Sequence, residues 1–330
     1  MPRAARGYGG QVIAAYAARF SPDDPLAALE VGEQPAPAPR DGWTVVDVRA
    51  SALNHHDLWS LRGVGLRAEQ LPMILGTDAA GVTADGREVV VHGVIGGPSG
   101  HGVPADEPRS LLSERYPGTL AEQVAVPAWN LVDKPAELSF VEAACLPTAW
   151  LTAYRMLFTT GRATPGQRVL VQGAGGGLAT AAVVLGAAAG LEVVVTSRDE
   201  AKRERALALG AAAAAETGAR VPRVDLVLES VGRATWSHSV RSVRPGGTIV
   251  VAGATSGDAE HAELQRIFFQ EITVAGTTMG SRDDLRHLLA FLARTGVRPL
   301  VDSTFPLADA RDALARLAAG EQFGKIVVEP

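Results

Sequence analysis

The segment RVLVQGAGGGLATAAVVLG, residues 168–186, decides the fold of this protein. Its Val-rich start, Arg168 to Val171, predicts a buried strand. The turn Gly173-Ala-Gly-Gly-Gly-Leu-Ala179 follows, and the Ala-rich segment from Leu178 to Ala189 then predicts a helix. A strand, a glycine-rich turn and a helix in this order are typical of the phosphate-binding corner of a dinucleotide-binding unit.

The sequence around this corner repeats the same alternation of strand and helix. Alternating strands and helices predict a doubly wound α/β fold with a parallel sheet. The predicted strands are Arg168 to Val171, Glu192 to Thr196, Val224 to Leu228, Thr248 to Ala252 and Ile272 to Ala275. The predicted helices are Leu178 to Ala189, Glu200 to Leu209, Thr235 to Val243 and Asp283 to Arg294.

The glycine-rich turn can be aligned with a dinucleotide motif in two ways. One uses Gly173, Gly175 and Gly176, and the other uses Gly173, Gly176 and Ala179. In both, glycines let the backbone approach a pyrophosphate, which then lies at the positive end of the helix dipole. An ordinary glycine-rich turn is the alternative, but the flanking strand and helix favour dinucleotide binding.

The end of the second strand indicates which dinucleotide is bound. An NAD site places an acidic residue about 20 residues after the first glycine, whereas this chain has Thr196-Ser197-Arg198. A hydroxyl and a guanidinium suit a 2′-phosphate, so NADPH is the predicted cofactor. Asp199 or Glu200 turned towards the ribose would reverse this preference, and a solvated Arg198 would leave it without support.

The first third of the chain predicts short strands and turns, and therefore an all-β region. The segments Val12 to Tyr16 and Thr44 to Ala50 are predicted strands, and Asp85-Gly86 predicts a hairpin turn between Gly81 to Thr83 and Glu88 to Val91. Gly93 to Gly118 predicts a long surface loop. At the other terminus, the predicted elements are a helix, Ala308 to Ala319, and a strand that begins at Phe323.

Composition excludes several classes of protein. The chain has 330 residues, a formal net charge of −5 and a single cysteine, Cys145. One thiol excludes an internal disulfide and a zinc site built from three or four cysteines. The acidic balance argues against nucleic-acid binding. The N-terminal residues lack the pattern of a signal peptide, and Leu178 to Leu191 is too short to span a membrane, so a cytoplasmic location is expected.

Six segments together resemble the medium-chain dehydrogenase/reductase superfamily, and are most similar to its quinone-oxidoreductase-like members that lack zinc. They are Ala52-Leu-Asn-His-His-Asp-Leu-Trp59, Ile74-Leu-Gly-Thr-Asp-Ala-Ala-Gly81, Gly118-Thr-Leu-Ala-Glu122, Leu151-Thr-Ala-Tyr154, the glycine-rich turn and Phe323-Gly-Lys-Ile326. The resemblance implies a GroES-like β domain (1–137 and 297–330), a Rossmann domain (138–296) and an active site between them. It also implies a homodimer formed through the sheet edge near Ile272 to Ala275.

The chain departs from the zinc-dependent relatives at both of their metal sites. Where they carry catalytic zinc ligands, this chain has Asn54, Thr77 followed by Asp78, and Thr148. The loop that holds four cysteines in those relatives has none here. No metal site is therefore predicted, and the one alternative is a site improvised from His55, His56 and Asp78.

The absence of zinc restricts the expected chemistry. Hydride addition to a simple ketone places charge on one oxygen, which zinc stabilises as a Lewis acid. Addition to a quinone, enone or enoyl thioester spreads that charge as an enolate, which hydrogen bonds can stabilise. The predicted function is NADPH-dependent reduction of a conjugated carbonyl. A metal-free alcohol or ketone dehydrogenase and a cofactor-binding sensor without turnover are the alternatives.

The resemblance also nominates individual site residues. His56 and Asn54 are the catalytic candidates, with His56 as proton donor or carbonyl anchor, and a purely structural role for the histidines is the alternative. Trp59, Thr77 and Thr148 are expected in the substrate pocket. The expected cofactor contacts are His55, Thr152, Gly173, Gly175, Gly176, Gly177, Leu178, Ser197, Arg198, Lys202, Ser230, Val231, Gly253, Ala254 and Lys325. Asp57 is expected to orient its loop, and Cys145 to be a buried thiol without a catalytic role.

Overall fold

The computed structural model describes residues 10–38, 40–97 and 108–330. The chain forms two compact units. The first unit is discontinuous and comprises Met1–Thr148, Ser281–Leu289 and Val301–Pro330. The second comprises Ala149–Gly280 and Ala290–Leu300.

The first unit is built mainly from β-sheets. A seven-stranded sheet has the order β10-β6-β5-β3-β18-β17, with β9 also paired to β3, and a three-stranded sheet has the order β2-β1-β4. β7 and β8 form a separate pair. The strands are β1 (Gln11–Ala17), β2 (Leu29–Pro35), β3 (Trp43–Ala52), β4 (Met73–Ile74), β5 (Asp78–Thr83), β6 (Glu88–Val91), β7 (Val94–Ile95), β8 (Ser110–Leu111), β9 (Gln123–Pro127), β10 (Leu131–Asp133), β17 (Val301–Pro306) and β18 (Lys325–Glu329).

The last strand of the chain completes the large sheet of the first unit. β18 pairs antiparallel with β3, where Val327 lies opposite Ala52, and parallel with β17. Apolar side chains from distant parts of the sequence, including Leu61, Leu120 and Ile326, share one buried core. Burial of this apolar surface holds the C-terminal strand next to the segment that begins at Leu53.

The second unit contains a six-stranded sheet in which all strands are parallel, which confirms the predicted doubly wound fold. Its order is β13-β12-β11-β14-β15-β16, so β13 and β16 are the edge strands. The strands are β11 (Arg168–Gln172), β12 (Glu192–Thr196), β13 (Ala213–Ala215), β14 (Val224–Glu229), β15 (Val243–Val251) and β16 (Thr273–Gly276). Strands that are buried on both faces explain the Val- and Leu-rich runs in the sequence.

Helices follow the pattern expected for crossovers between parallel strands. α4 packs on β11 and β12, and α6 packs on β11, β14 and β15. The helices are α1 (His55–Leu61), α2 (Phe140–Ala144), α3 (Leu151–Tyr154), α4 (Gly177–Ala188), α5 (Glu200–Ala208), α6 (Trp236–Ser242), α7 (Leu264–Phe269), α8 (Arg282–Thr295) and α9 (Ala310–Ala319). Within the described ranges, no helix is long and apolar enough to cross a membrane, and the cytoplasmic location stays a prediction.

Three features of the first unit differ from the sequence-based expectations. The first third is not all-β, because α1 begins at His55. The segment Gly93 to Gly118 is not a loop throughout, since β7 and β8 pair within it and Ile95 and Leu112 are buried; the rest of that prediction lies partly outside the described residues. Residues 138–148 group with the first unit rather than the second, because α2 packs on β3 and β5.

Candidate functional site

The glycine-rich turn lies at the carboxyl end of β11 and leads directly into α4. Gly173 has a φ of +92°, a conformation that favours glycine. Gly176 is the N-cap residue of α4, and a Cβ added there would meet no atom of the described residues within 4 Å. Gly177 and Leu178 begin the helix, and no side chain in the described part of the chain caps its first turn. The free N–H groups of this turn are available to an anion.

A lysine lies against the same turn. An added Cβ at Gly175 would stand 2.6 Å from Cδ and 3.1 Å from Nζ of Lys202. The absence of a side chain at Gly175 therefore allows the ammonium group to approach the turn. Lys202 belongs to α5, whose first turn is capped by the Asp199 side chain, which accepts a hydrogen bond from the Lys202 N–H at 3.1 Å.

The remaining predicted cofactor residues of the second unit fall into two groups. Ser197 is half-buried and Arg198 is exposed just after β12. The loops after β14 and β15 lie side by side, because the Ser256 N–H donates to the Val231 carbonyl at 2.7 Å and the Gly253 Cβ position lies 3.3 Å from the Ser230 oxygen. Ala254 is half-buried beside them, and Thr152 is buried on α3.

Glu229 organises the loop after β14, although the sequence analysis did not predict a role for it. This fully buried carboxylate accepts hydrogen bonds from the Val231 N–H at 2.8 Å and the Gly232 N–H at 3.0 Å. The hydroxyls of Thr235 and Ser239 also donate to it. A Glu at the end of an otherwise apolar strand, VDLVLE, is the signal that could have identified it.

A nicotinamide dinucleotide fits these residues. An open space at the Gly176 Cβ position, an uncapped helix N-terminus and a nearby ammonium group suit a pyrophosphate. Gly173, Gly176 and Lys202 would hold that group, and the loops after β14 and β15 follow the carboxyl ends of strands, where sheets of this type bind ligands.

The first unit contains a buried polar cluster centred on Lys325. This lysine is 3% exposed, and its ammonium group donates to the Leu53 carbonyl at 2.6 Å, to Asn54 Oδ1 at 2.7 Å and to Asp78 Oδ2 at 3.2 Å. Asp78 is fully buried. All three donor hydrogens are thus used inside the unit, while the predicted contact of Lys325 with the cofactor stays a prediction.

The cluster extends from Asn54 to two threonines. The Asn54 amide donates to Asp78 Oδ2 at 2.9 Å and to Thr77 Oγ1 at 3.2 Å. The hydroxyls of Thr77 and Thr148 are 3.0 Å apart. Thr77 is buried, whereas Thr148 is half-buried. A continuous hydrogen-bonded chain therefore leads from the buried ammonium group to a partly accessible hydroxyl.

Asp57 holds the backbone beneath this cluster, as the sequence suggested. Its carboxylate accepts from the Asn54 N–H at 2.8 Å and from the Gly76 N–H at 2.9 Å, which fixes the start of α1 to the turn before Thr77. Burial raises the pKa of Asp57 to about 6, and the two backbone hydrogen bonds oppose this change.

The two histidines occupy the first turn of α1 but differ in surroundings. His55 is exposed and His56 is half-buried, as is Trp59. Among the described residues, His56 Nε2 has no hydrogen-bond partner, and it lies 3.9 Å from Glu114 Oε1. Desolvation lowers the pKa of His56, although Glu114 and Asp78 act in the opposite direction. His56 is therefore a neutral imidazole near pH 7.

The donor set at these positions does not fit zinc. An asparagine amide, two threonine hydroxyls and an ammonium group replace the thiolates and imidazoles that zinc prefers. Across residues 10–38, 40–97 and 108–330, no three His, Cys, Asp or Glu side chains are grouped closely enough to hold a metal ion. The possible set of His55, His56 and Asp78 is not such a group.

Cys145 follows α2 and is fully buried. Its thiol donates to the Val141 carbonyl at 3.2 Å. Burial raises the pKa of the thiol to about 12, so the reactive thiolate is not populated near pH 7.

A mainly β unit joined in one chain to a parallel-sheet unit with a glycine-rich phosphate corner defines a dinucleotide-dependent dehydrogenase. Residues 40–136 match the family model of the alcohol dehydrogenase GroES-like domain, and residues 190–328 match that of zinc-binding dehydrogenases. The chain belongs to the medium-chain dehydrogenase/reductase superfamily and is an oxidoreductase of that family, whose dehydrogenases use nicotinamide cofactors. The predicted GroES-like and Rossmann folds are confirmed.

Individual relatives support this assignment. A zinc-type alcohol dehydrogenase-like protein of Leptosphaeria maculans is 28% identical over 91% of this chain and 94% of its own length. An alcohol dehydrogenase of Geobacillus stearothermophilus is 27% identical over 92% of this chain and 96% of its own. The crystal structure of an NAD-dependent alcohol dehydrogenase superposes with a TM-score of 0.87 at 30% identity, over 96% of this chain and 99% of that one.

Proposed function

We propose that this protein is a zinc-independent, NADPH-dependent reductase of conjugated carbonyl compounds, such as quinones, enones or enoyl thioesters. The observation that carries the proposal is the hydrogen-bonded cluster of Asn54, Thr77, Thr148 and Lys325, in which the first three residues correspond by resemblance to the zinc-ligand positions of zinc-dependent relatives. This cluster supplies hydrogen-bond donors and a buried positive charge, but no ligand set for zinc.

The chemistry of the cluster matches conjugate reduction. The nicotinamide, when bound, supplies the hydride. Thr148 is half-buried at the end of the cluster, where its hydroxyl would contact the carbonyl oxygen of the substrate. The Lys325 ammonium is paired with Asp78, and its hydrogen bond to Asn54 polarises the amide that donates to Thr77. Hydrogen bonds of this kind suffice for a delocalised enolate, whereas a localised alkoxide requires a stronger electrophile.

His56 acts in this proposal as a carbonyl anchor rather than as a charged acid. Its lowered pKa keeps the imidazole neutral near pH 7, and a neutral ring retains one N–H donor. Its buried Nε2 makes no hydrogen bond among the described residues, so this atom would gain a partner on contact with the carbonyl oxygen. The proton that completes the reduction then comes from solvent.

The preference for NADPH rests on the residues after β12. Arg198 is exposed and Ser197 is beside it, so both are available to a 2′-phosphate. Asp199, which could have selected NADH, instead caps α5 through its carboxylate. Arg198→Ala is expected to weaken NADPH binding at least about tenfold and to leave NADH binding unchanged, since it removes one charge-assisted contact.

One assay tests the reaction. NADPH oxidation is followed with a quinone, an enone, an enoyl thioester and the saturated ketone that matches the enone, together with zinc analysis of the purified protein. Turnover of the conjugated substrates alone, without bound zinc, is the expected result. One equivalent of zinc, lost together with activity on chelation, would contradict the proposal. Tight NADPH binding without any turnover would instead favour a sensor.

An alcohol or ketone dehydrogenase is the second candidate, because alcohol dehydrogenases are prominent among the relatives. Equal turnover of the saturated ketone and the enone, or oxidation of the alcohol, would favour it. A highly reducing polyketide synthase of Arthrinium phaeospermum is 29% identical over 89% of this chain and 13% of its own length. This relative supports a reductive role instead.

We also propose that the protein forms a homodimer through β16. β16 is an edge strand of the six-stranded sheet, so the backbone N–H and C=O groups on its outer side have no partner strand in that sheet. Large apolar side chains are exposed next to it: Leu264, Phe268, Phe269 and Val274. A second copy of the chain would cover these side chains and continue the sheet, which is a common solution for exposed edge strands.

A further inference from the structure

A positively charged cavity lies on the second unit, away from the glycine-rich turn. Its volume is about 730 Å³, and it lies beside the C-terminal half of α6. Four arginines line it, Arg220, Arg223, Arg241 and Arg266, together with His238 and Ser242. No carboxylate is among its lining residues in the described part of the chain.

The cavity borders the amino ends of two strands of the sheet. Arg223 directly precedes β14, and Ser242 directly precedes β15, so both mark the amino ends of these strands. The glycine-rich turn follows the carboxyl end of β11. None of the residues that line the cavity is among the predicted cofactor contacts, although His238 also contacts Gln172, the last residue of β11.

The positive charge of the cavity is largely uncompensated. Arg220 and Arg241 are exposed, and neither side chain pairs with a carboxylate among the described residues. Arg266 forms an ion pair with Glu263, in which Nε and Oε2 are 3.9 Å apart, so its charge is partly balanced. Arg223 has a structural role, because its guanidinium donates to the carbonyls of Arg241 and Val243. The guanidinium groups of Arg220 and Arg241 thus remain available to a ligand.

The floor of the cavity is fixed by a buried histidine. His238 is 6% exposed, and its ring nitrogens contact the Gln172 amide at 2.9 Å and the Ala219 carbonyl at 2.8 Å. Ser242, which is 5% exposed, lies 3.3 Å from the same ring. These contacts make the floor a built feature of the fold rather than a gap between mobile surface side chains.

We infer that this cavity is a second binding site, for a small molecule that carries two or more phosphate groups. Arginine donates in a planar fork that matches phosphate oxygens, and several arginines around one concave site suit several phosphates. The volume lies within the range of about 300 to 1,000 Å³ that is typical of small-molecule sites. A nucleic acid is disfavoured, because the chain carries a net charge of −5 and the arginines surround a cavity rather than form a stripe.

Calorimetric titration of the whole chain with tripolyphosphate tests the inference. The wild-type protein is expected to bind it with a dissociation constant below about 1 mM at roughly 0.1 M salt. Arg220→Gln combined with Arg241→Gln should weaken this binding at least about tenfold, because two charge-assisted contacts are lost. Arg286→Gln combined with Arg294→Gln is the matched control, since it removes the same charge from exposed arginines of α8.

Several results would overturn the inference. They are no binding by the wild type, equal binding by the Arg220/Arg241 double variant, and equal losses in the two double variants. A short single-stranded oligonucleotide that binds more tightly than tripolyphosphate, and depends on the same two arginines, would instead identify a nucleic-acid surface. Arg198→Ala, which alters the predicted cofactor site, should leave tripolyphosphate binding to the cavity unchanged, and circular dichroism checks that every variant is folded.

Discussion

Lys325 determines the character of the candidate site at the scale of single residues. An ammonium group that is 3% exposed is tolerated only because Asp78, Asn54 and the Leu53 carbonyl accept its three hydrogens. Asp78 Oδ2 lies 3.2 Å from the ammonium nitrogen, and Asp78 is fully buried. If either side chain is removed, the other is left buried without its partner, and the free-energy cost of its desolvation is no longer offset.

Lys325→Met is expected to destabilise the protein by roughly 3 to 5 kcal/mol, because it leaves the Asp78 carboxylate buried without its cation. Asp78→Asn combined with Lys325→Met should recover part of this loss. Urea unfolding measures all of these differences. Arg19→Gln is the control at the exposed pair of Arg19 and Glu30 and should cost less than about 1 kcal/mol. A loss from Lys325→Met as small as that from Arg19→Gln would contradict the buried ion pair.

Asp57 gives the protein a defined dependence of stability on pH. Its pKa is raised to about 6 in the folded protein from the ordinary 3.8. Below pH 3.8 the Asp57 carboxyl group is protonated in both the folded and the unfolded chain. Between pH 3.8 and about pH 6 it loses its proton only in the unfolded chain. Rising pH therefore favours unfolding over this interval, and the stability contributed by the protonated carboxyl is lost by about pH 6.

The free energy of unfolding of the wild type minus that of Asp57→Asn should fall by roughly 3 kcal/mol between about pH 4 and pH 7, at 1.36 kcal/mol per pH unit between the two pKa values. Urea unfolding across this range measures it. Asp85→Asn is a control of opposite sign, because a hydrogen bond from Thr83 lowers the pKa of Asp85. A difference for Asp57→Asn that does not vary with pH would rule out a buried carboxyl of raised pKa.

Among the secondary-structure elements, those with strong local patterns agree best with prediction. β12 is Glu192–Thr196 in both, and α5 and α6 differ by one residue at their ends. α1 was missed because it has seven residues and a polar start, although Asn54 and Asp57 have the spacing of a capping box. β17 was missed because Asp302 and Pro306 interrupt its apolar pattern.

The candidate site was only partly accessible to sequence-based reasoning. The resemblance to the superfamily predicts that residues 54, 77 and 148 lie at the zinc-ligand positions of its zinc-dependent members. The sequence at these three positions then shows that the usual zinc ligands are missing. The bond between Lys325 and Asn54 joins residues 271 positions apart, and it depends on the pairing of β18 with β3. No local pattern encodes such a contact, since it arises from tertiary packing.

The turn between β11 and α4 offers a test of the cofactor site at the scale of an element. Gly176→Ala places a methyl group where no atom of residues 10–38, 40–97 or 108–330 lies within 4 Å, so the fold should tolerate it. A pyrophosphate bound against the same backbone would meet that methyl group. NADPH affinity, measured by fluorescence titration, is expected to fall at least about tenfold while the melting temperature is unchanged.

Gly10→Ala is the matched control for this experiment. An added Cβ at Gly10 also meets nothing within 4 Å, but Gly10 lies just before β1 in the first unit. This variant should bind NADPH as the wild type does. Full retention of NADPH affinity by Gly176→Ala would show that the cofactor does not approach this part of the turn.

At the scale of the whole molecule, the two ends of the parallel sheet have different roles. The carboxyl ends carry the glycine-rich turn and the loops organised by Glu229, whereas the amino ends of β14 and β15 border the arginine-lined cavity. His238 lines that cavity and contacts Gln172, the last residue of β11 before the glycine-rich turn. The edge strand β16 is a third surface and takes part in neither site.

The apolar side chains beside β16 predict the oligomeric state. Phe268 and Phe269 are 62% and 79% exposed, and their rings pack against each other with centroids 4.6 Å apart. Exposed aromatic pairs of this kind are typical of interfaces rather than of free surfaces.

Phe268→Asp combined with Phe269→Asp should convert a dimer into a monomer, because it places charges on a surface that the second copy must desolvate. Sedimentation equilibrium measures the mass, and Leu207→Asp, at an apolar residue of α5 that is 45% exposed, is the control that should remain dimeric. A wild-type protein that is monomeric at all concentrations, or a double variant that stays dimeric, would place the apolar surface outside any contact between copies.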